Sequence, residues 1–219
     1  MARVVSVNVG LPRDVESGGQ VVRTGIFKSP VAGRVGVGPL DLEGDAQADL
    51  SVHGGPDKSV YAYPSEHYPA WLQELPELDL PWGVFGENLT TAGLHEDSVG
   101  IGDHLRIGTA LFRITQPRIP CFKLGVRFAR PDMVKRFQHS GRSGFYLAVV
   151  ETGELAAGDP IEHRPNAAAS LSVAAITSLY VAREPDREVL RRAAELAELP
   201  ENWRAHFRKR LDGLPATPD

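Results

Sequence analysis

The chain has 219 residues, a formal net charge of −4 and a hydrophobic fraction of 42%. That length admits one large domain or a domain with an appendage, and the apolar share is enough for a core. The acidic balance argues against a general nucleic-acid surface. The single cysteine forbids an internal disulfide and cannot alone hold an iron–sulfur cluster or a structural cysteine-type zinc site.

Along the chain, the first two-thirds is rich in Gly and Pro and broken into short runs. "RVVSVNVG" reads as a strand, with no signal-peptide layout around it. "RVGVG" (34–38), "SVYAY" (59–63), "LRIG", "LFRIT" and "FYLAVV" (145–150) follow as further strands, each bounded by Gly, Pro or Asp. Short strands at this spacing point to a barrel or sandwich. Two short helices interrupt them. "SEHYPAWLQEL" has Ser65 placed as an N-cap, and "PDMVKRFQHS" starts with Pro131. No run of about 18 apolar residues occurs, so no membrane span is expected, and the protein reads as soluble and cytoplasmic.

Composition changes near residue 166. "EPDREVLRRAAELAEL" has helical periodicity, with Asp186 as its cap and Val189, Leu190, Ala193 and Ala197 on one stripe. Pro200 opens another helix, in which Trp203, Phe207 and Leu211 share a face. The expected division is residues 1–165 as a β-rich domain and 166–219 as a small helical domain. Some fifty residues make a poor core alone, so this apolar face needs cover from the sheet or from a second subunit in a homodimer. The basic "RAHFRKR" reads as a solvated helix face, since the rest of the chain lacks a basic stripe.

Several stretches carry candidate chemistry. In "GDAQADLSVHGGPDKSV", Asp45, Asp49 and His53 recur every four residues, a spacing compatible with a metal. The Gly-Gly-Pro run breaks any helix there, and no zinc signature accompanies it. "HGGPDK" instead suits an anion held by backbone N–H groups beside Lys58; a plain tight turn is the alternative. In "GVFGENLTTAGL", Glu87 and Asn88 follow two glycines and either orient a ligand or close a turn. "SGRSGFY" presents Arg142 on a glycine-rich loop, suited to phosphate or carboxylate. "GRVGVG" matches no dinucleotide fingerprint, and neither a GxSxG elbow nor a Walker A motif occurs.

"QPRIPCFKLG" holds the lone cysteine, Cys121, with Arg118 and Lys123 close by. A lone cysteine is often a small buried hydrophobe. A thiol near two cations is instead suited to be a nucleophile or soft metal ligand. Both readings stand on local composition.

Four stretches occur in order: "GDAQADLSVHGGPDKSVYAYPSEHYPAW", "GVFGENLTT", "SVGIGDHLRIGTALFRITQPRIPCFKL" and "GRSGFYLAVVETGELAAGD". Together they resemble the MOSC domain, named after the C-terminal domain of molybdenum cofactor sulfurase. The closer resemblance is to the YiiM-like subgroup, in which a three-helix domain follows the MOSC barrel.

The resemblance implies a mainly β fold, an antiparallel β-barrel with short helices, plus the C-terminal helical domain. It implies the molybdenum cofactor as ligand, with Cys121 as the molybdenum-binding thiolate kept ionised by Arg118 and Lys123. Lys58 and Arg142 become partners for the pterin phosphate, and His53, Glu87 and Asn88 match other motif positions. The implied activity is reduction of N-hydroxylated bases such as 6-hydroxylaminopurine, with electrons from a separate reductase, because no flavin or iron–sulfur module is visible. Two other readings remain: a cofactor or sulfur carrier without turnover, and a metal-free thiol redox protein.

Overall fold

A computed structural model describes residues 1–48, 54–166 and 171–214. Twelve strands occur in it: β1 Arg3–Val9, β2 Arg13–Ser17, β3 Gln20–Thr24, β4 Ser29–Pro30, β5 Arg34–Val37, β6 Val60–Pro64, β7 Leu89–Ala92, β8 His104–Ile107, β9 Ala110–Pro117, β10 Phe145–Glu151, β11 Gly153–Ala156 and β12 Ile161–Arg164. The helices are α1 Tyr68–Glu74, α2 Phe122–Phe128, α3 Met133–Ser140, α4 Val173–Val181, α5 Arg187–Glu195 and α6 Glu201–Asp212.

Eight strands form one sheet in the order β12-β8-β9-β10-β6-β7-β1-β4. β5 pairs with β11, and β2 with β3. The β2–β3 hairpin turns on Gly18 and Gly19, both at positive φ, which glycine adopts without a Cβ clash.

Two features depart from the expected antiparallel barrel. β6 and β7 run parallel. The chain between them makes a crossover through α1 rather than a tight hairpin, and such a connection delivers the next strand in the same direction. Second, no strand ladder closes the sheet among the described residues. Its two ends are joined by one bridge, Arg3 to Pro160, and by three backbone bonds (Val4 N–H to Asp159, Gly158 N–H to Val4, Ile161 N–H to Ala2). The sheet curls far enough for its ends to touch without zipping.

Side-chain alternation explains the core. Inward residues of β1, β8, β9 and β10 (Val4, Val7, Leu105, Ile107, Phe112, Ile114, Phe145, Leu147) are buried in one cluster. The same cluster includes Val173, Ile176, Leu190, Trp203 and Phe207 from the C-terminal helices. Those helices therefore complete the sheet's core, and the apolar stripe on α6 is covered by this chain itself. A second cluster is aromatic, built from Tyr61, Tyr63, Tyr68, Trp71, Phe85 and Phe137 around Leu124 and Met133.

Among the described helices α4 and α5 carry side-chain caps. Ser172 and Asp186 accept from the N–H groups of Ala175 and Val189 and start α4 and α5. Ser65 does not cap: Ser65–His67 is a short 3-10 turn leading into α1, and the Ser65 hydroxyl donates to Glu66. Ala197 lies beyond the end of α5 and is exposed, and Ala194 takes the buried place on that stripe.

Candidate functional site

Two cavities meet at Cys121. The first, of about 100 Å³, is lined by β3, β6, β10 and the stretches around Lys28, Asp45–Ala48, Gly86–Asn88 and Arg118–Lys123. The second, of about 360 Å³, is lined by the end of β9, by Pro120 and by residues of α4 and α6. Cys121, Lys58 and Tyr146 line both.

β9 explains the position of the thiol. The strand ends at Pro117, and "RIP" turns the chain so that Cys121 becomes the N-cap residue of α2 in an extended conformation. Cys121 is partly exposed, so the packing reading of a buried thiol does not apply.

The first cavity gathers four cations: Lys28, Lys58, Arg118 and Lys123. Arg118 is buried. Its guanidinium donates to the Phe85 carbonyl and lies over the Tyr61 ring, 4.7 Å from the centroid. Burial works against the Arg118 charge, but the facing Tyr61, Tyr146 and Cys121 outweigh it and raise the pKa further. Lys28 is paired with Asp45, both almost wholly out of solvent. Burial lowers the Lys28 pKa, and Asp45 opposes that shift. The Lys58 ammonium is also pushed down by burial, with Asp57 and Cys121 pulling the other way.

Lys58 ends the short 3-10 turn Pro56–Lys58. That turn is pinned by Thr115, which donates to the Asp57 carbonyl (2.7 Å), and by Gln47, whose amide donates to the Lys58 carbonyl (3.0 Å). The other face of the Gln47 carboxamide, Oε1, is buried without a hydrogen-bond partner among the described residues and belongs to a cavity-lining residue.

The site residues expected from sequence divide into three groups. Cys121, Lys58, Asn88 and Arg118 come together around the first cavity. Glu87 and Arg142 line neither cavity. Glu87 is fully buried and accepts from the N–H groups of Gly83 (2.8 Å) and Phe85 (3.1 Å), from Thr90 (3.0 Å) and from the Tyr68 hydroxyl. It clamps the loop that carries Gly86 and Asn88. Arg142 pairs with Glu74 (2.7 Å) over the Trp71 ring. His53 and Asp49 lie outside the described residues. Asp45, the remaining member of that spaced trio, has both oxygens engaged, by Lys28 and Gly10 and by Asn88.

Sequence reasoning missed Lys28, Gln47, Tyr61 and Tyr146, and the whole wall of the second cavity: Gln116, Tyr180, Asn202, Trp203 and His206. The stripe of Trp203, Phe207 and Leu211 gave a buried face but no sign that its edge borders the thiol.

A curled sheet with a thiol-bearing turn, completed by three C-terminal helices, defines a recognisable class. The MOSC domain model matches residues 49–162, and the model described as "YiiM-like, 3-alpha helix domain" matches residues 171–214. The chain belongs to the MOSC-domain family, in its YiiM-like form. It is 40% identical over 211 residues to YflK of Bacillus subtilis (strain 168), a protein described as uncharacterized, covering 96% of this chain and 95% of that one. The crystal structure of YiiM from Geobacillus stearothermophilus superposes with a TM-score of 0.80 at 34% identity, covering 96% of this chain and all of that one. A Gibberella moniliformis (strain M3125 / FGSC 7600) protein named "Reductase" is 34% identical over 200 residues; the match covers 90% of this chain and 35% of that longer protein. Among the described residues no helix is long and apolar enough to cross a membrane.

Proposed function

We propose that this chain is a molybdenum-cofactor-dependent reductase of N-hydroxylated compounds. The observation that carries the reading is the meeting of two cavities at Cys121, one cationic and one with an aromatic wall. The relative named as a reductase and the MOSC match support it.

The first cavity fits the cofactor chemically. A soft thiol suits molybdenum, and it is partly exposed on the cavity wall. Arg118, which stays charged at any physiological pH, and Lys28, Lys58 and Lys123 suit the anionic phosphate of the pterin. Gln47 Oε1, buried and without a partner among the described residues, suits a donor on the pterin ring. Cys121 would hold the metal, and the four cations and Gln47 would hold the pterin and its phosphate. When bound, the cofactor supplies two-electron oxygen-atom chemistry: R–NHOH, two electrons and two protons give R–NH₂ and water. The electrons come from a separate reductase. The protein's own part is to hold the anionic group with fixed cations and to keep the thiol at the mouth of the second cavity.

The test begins with protein purified from a host that makes the cofactor. Molybdenum and pterin are expected in equal amounts, close to one per chain, with reduction of an N-hydroxylated substrate once a reducing partner is added. Protein that loads molybdenum but never turns over would make it a carrier. Protein from the same host with neither molybdenum nor pterin would end the proposal.

A further inference from the structure

We infer that the second cavity is a stacking site for a flat heteroaromatic ring, and that the C-terminal helices build its wall. This rests on the reductase reading, and it identifies where, and by which residues, the substrate is held beside Cys121. The cavity volume, about 360 Å³, lies within the ordinary range for small-molecule sites.

Three ring-bearing side chains from α4 and α6 supply its apolar wall. Tyr180 and Trp203 have centroids 5.3 Å apart at 53°, and Tyr180 and His206 lie 5.1 Å apart at 31°. Aromatic side chains of this kind accept the face of any flat base. His206 keeps a neutral ring more readily than an ordinary histidine, because burial and then Arg210 and Lys209 lower its pKa.

An independent observation comes from β9. Gln116 is only 2% exposed, it lines the cavity, and its Oε1 has no hydrogen-bond partner among the described residues. A buried polar atom left unpaired costs free energy, so its retention here calls for a partner brought by a ligand or a water. A carboxamide offers a donor and an acceptor side by side, the pattern that pairs with the amino-bearing edge of an adenine-like ring. Charge narrows the class further. Among the described residues that line the cavity Lys58 is a cation and none is Asp or Glu, so a neutral or anionic ring is favoured over a cationic amine.

Gln116 comes from the end of β9 and Cys121 from the turn after it, while Tyr180 and His206 come from α4 and α6. All four line the second cavity, so a ring held by Tyr180 and Gln116 lies in the same cavity as the thiol. This gives the C-terminal helices a share in the site beyond closing the core.

The test uses the full-length protein loaded with cofactor. Calorimetry would follow binding of adenine and 6-hydroxylaminopurine to wild type, Tyr180→Leu, His206→Ala and Gln116→Leu. Tyr180→Leu and Gln116→Leu are each expected to weaken purine binding about 10-fold or more, and His206→Ala by less. In turnover, KM for 6-hydroxylaminopurine should rise by a larger factor than KM for hydroxyurea, which has no ring to stack. Unaltered purine affinity in the Tyr180 and Gln116 variants would overturn the inference, as would a wild-type protein that binds neither purine at millimolar concentration. The two readings fail separately. Purine binding that depends on Tyr180 and Gln116, without turnover, keeps the stacking site and removes the reductase. Hydroxyurea reduction without purine binding does the reverse.

Discussion

Asn88 donates its side-chain amide to Asp45 Oδ2 across 2.8 Å of buried space, while the other oxygen of Asp45 takes the Lys28 ammonium. Asn88 also accepts the Tyr61 N–H through its own Oδ1 (3.1 Å). One carboxylate thus ties the loop after Phe27, the stretch leading to Gln47 and the start of β7 into a single wall of the cationic cavity.

Asp45→Asn should therefore be strongly destabilising. It leaves Lys28 buried without its counter-charge, and breaking a buried pair on one side costs about 3–5 kcal/mol. The urea midpoint should fall with little change in the slope. In the double variant Asp45→Asn, Lys28→Met the loss should be smaller, because the stranded charge is gone. A single variant as stable as wild type would show that the pair contributes no net stability.

Glu87 gives a prediction in pH. Burial raises its folded-state pKa above 4.5, and the hydrogen bonds from Tyr68, Gly83 and Thr90 oppose that shift. Just above 4.5 the folded state then holds more protons than the unfolded one, so this group's contribution to stability falls as pH rises through the folded-state pKa. Glu87→Gln cannot titrate. It should cost about 1–3 kcal/mol at low pH, where its amide replaces one or more acceptor contacts, and the gap to wild type should narrow as pH rises through that window. Urea denaturation at several pH values checks this; a gap that widens with pH would mean the folded-state pKa is lowered.

Six of the strands were legible because β1, β5, β6, β8, β9 and β10 are apolar runs closed by Gly, Pro or Asp. The missed ones have physical reasons. β4 is two residues long, β7, β11 and β12 each hold a single large aliphatic residue in four where β5 and β8 hold two, and β2–β3 is an exposed, polar hairpin whose Gly-Gly turn was its one signal. α2 was hidden by Gly125 in its middle; a Cβ there would come within 3.1 Å of the Arg130 carbonyl, so the glycine serves close packing. In the site, Cys121 stood out as the single thiol, and the family resemblance gave it a role. Lys28, Gln116 and Tyr180 carry no local signature, because only the curled sheet brings them within reach of that thiol.

Cys121→Ser should separate ligand chemistry from folding. The residue is partly exposed at the head of α2, and serine is a well-tolerated N-cap, so stability should change by no more than about 0.5–1 kcal/mol. A hydroxyl is a harder and far less acidic ligand, so reduction of N-hydroxylated substrate should be abolished. Wild-type turnover at equal molybdenum loading would remove Cys121 from the metal's ligand set.

Arg118→Lys tests shape against charge. Both side chains are cations, so a site needing only positive potential would tolerate the change. Here the guanidinium is wedged between the Tyr61 ring and the Phe137 ring (5.5 Å from the centroid) and donates to the Phe85 carbonyl. A lysine cannot reproduce the flat stacking surface and the forked donors together, and its ammonium is more costly to bury. The fold should lose about 2 kcal/mol, the size of a desolvated cation–π contact. Cofactor retention should fall as well, since the Gly86–Asn88 wall is held partly through Phe85. Denaturation midpoints and the molybdenum and pterin content of the purified variant give the two readouts. Unchanged stability together with full cofactor content would mean that Arg118 contributes charge alone.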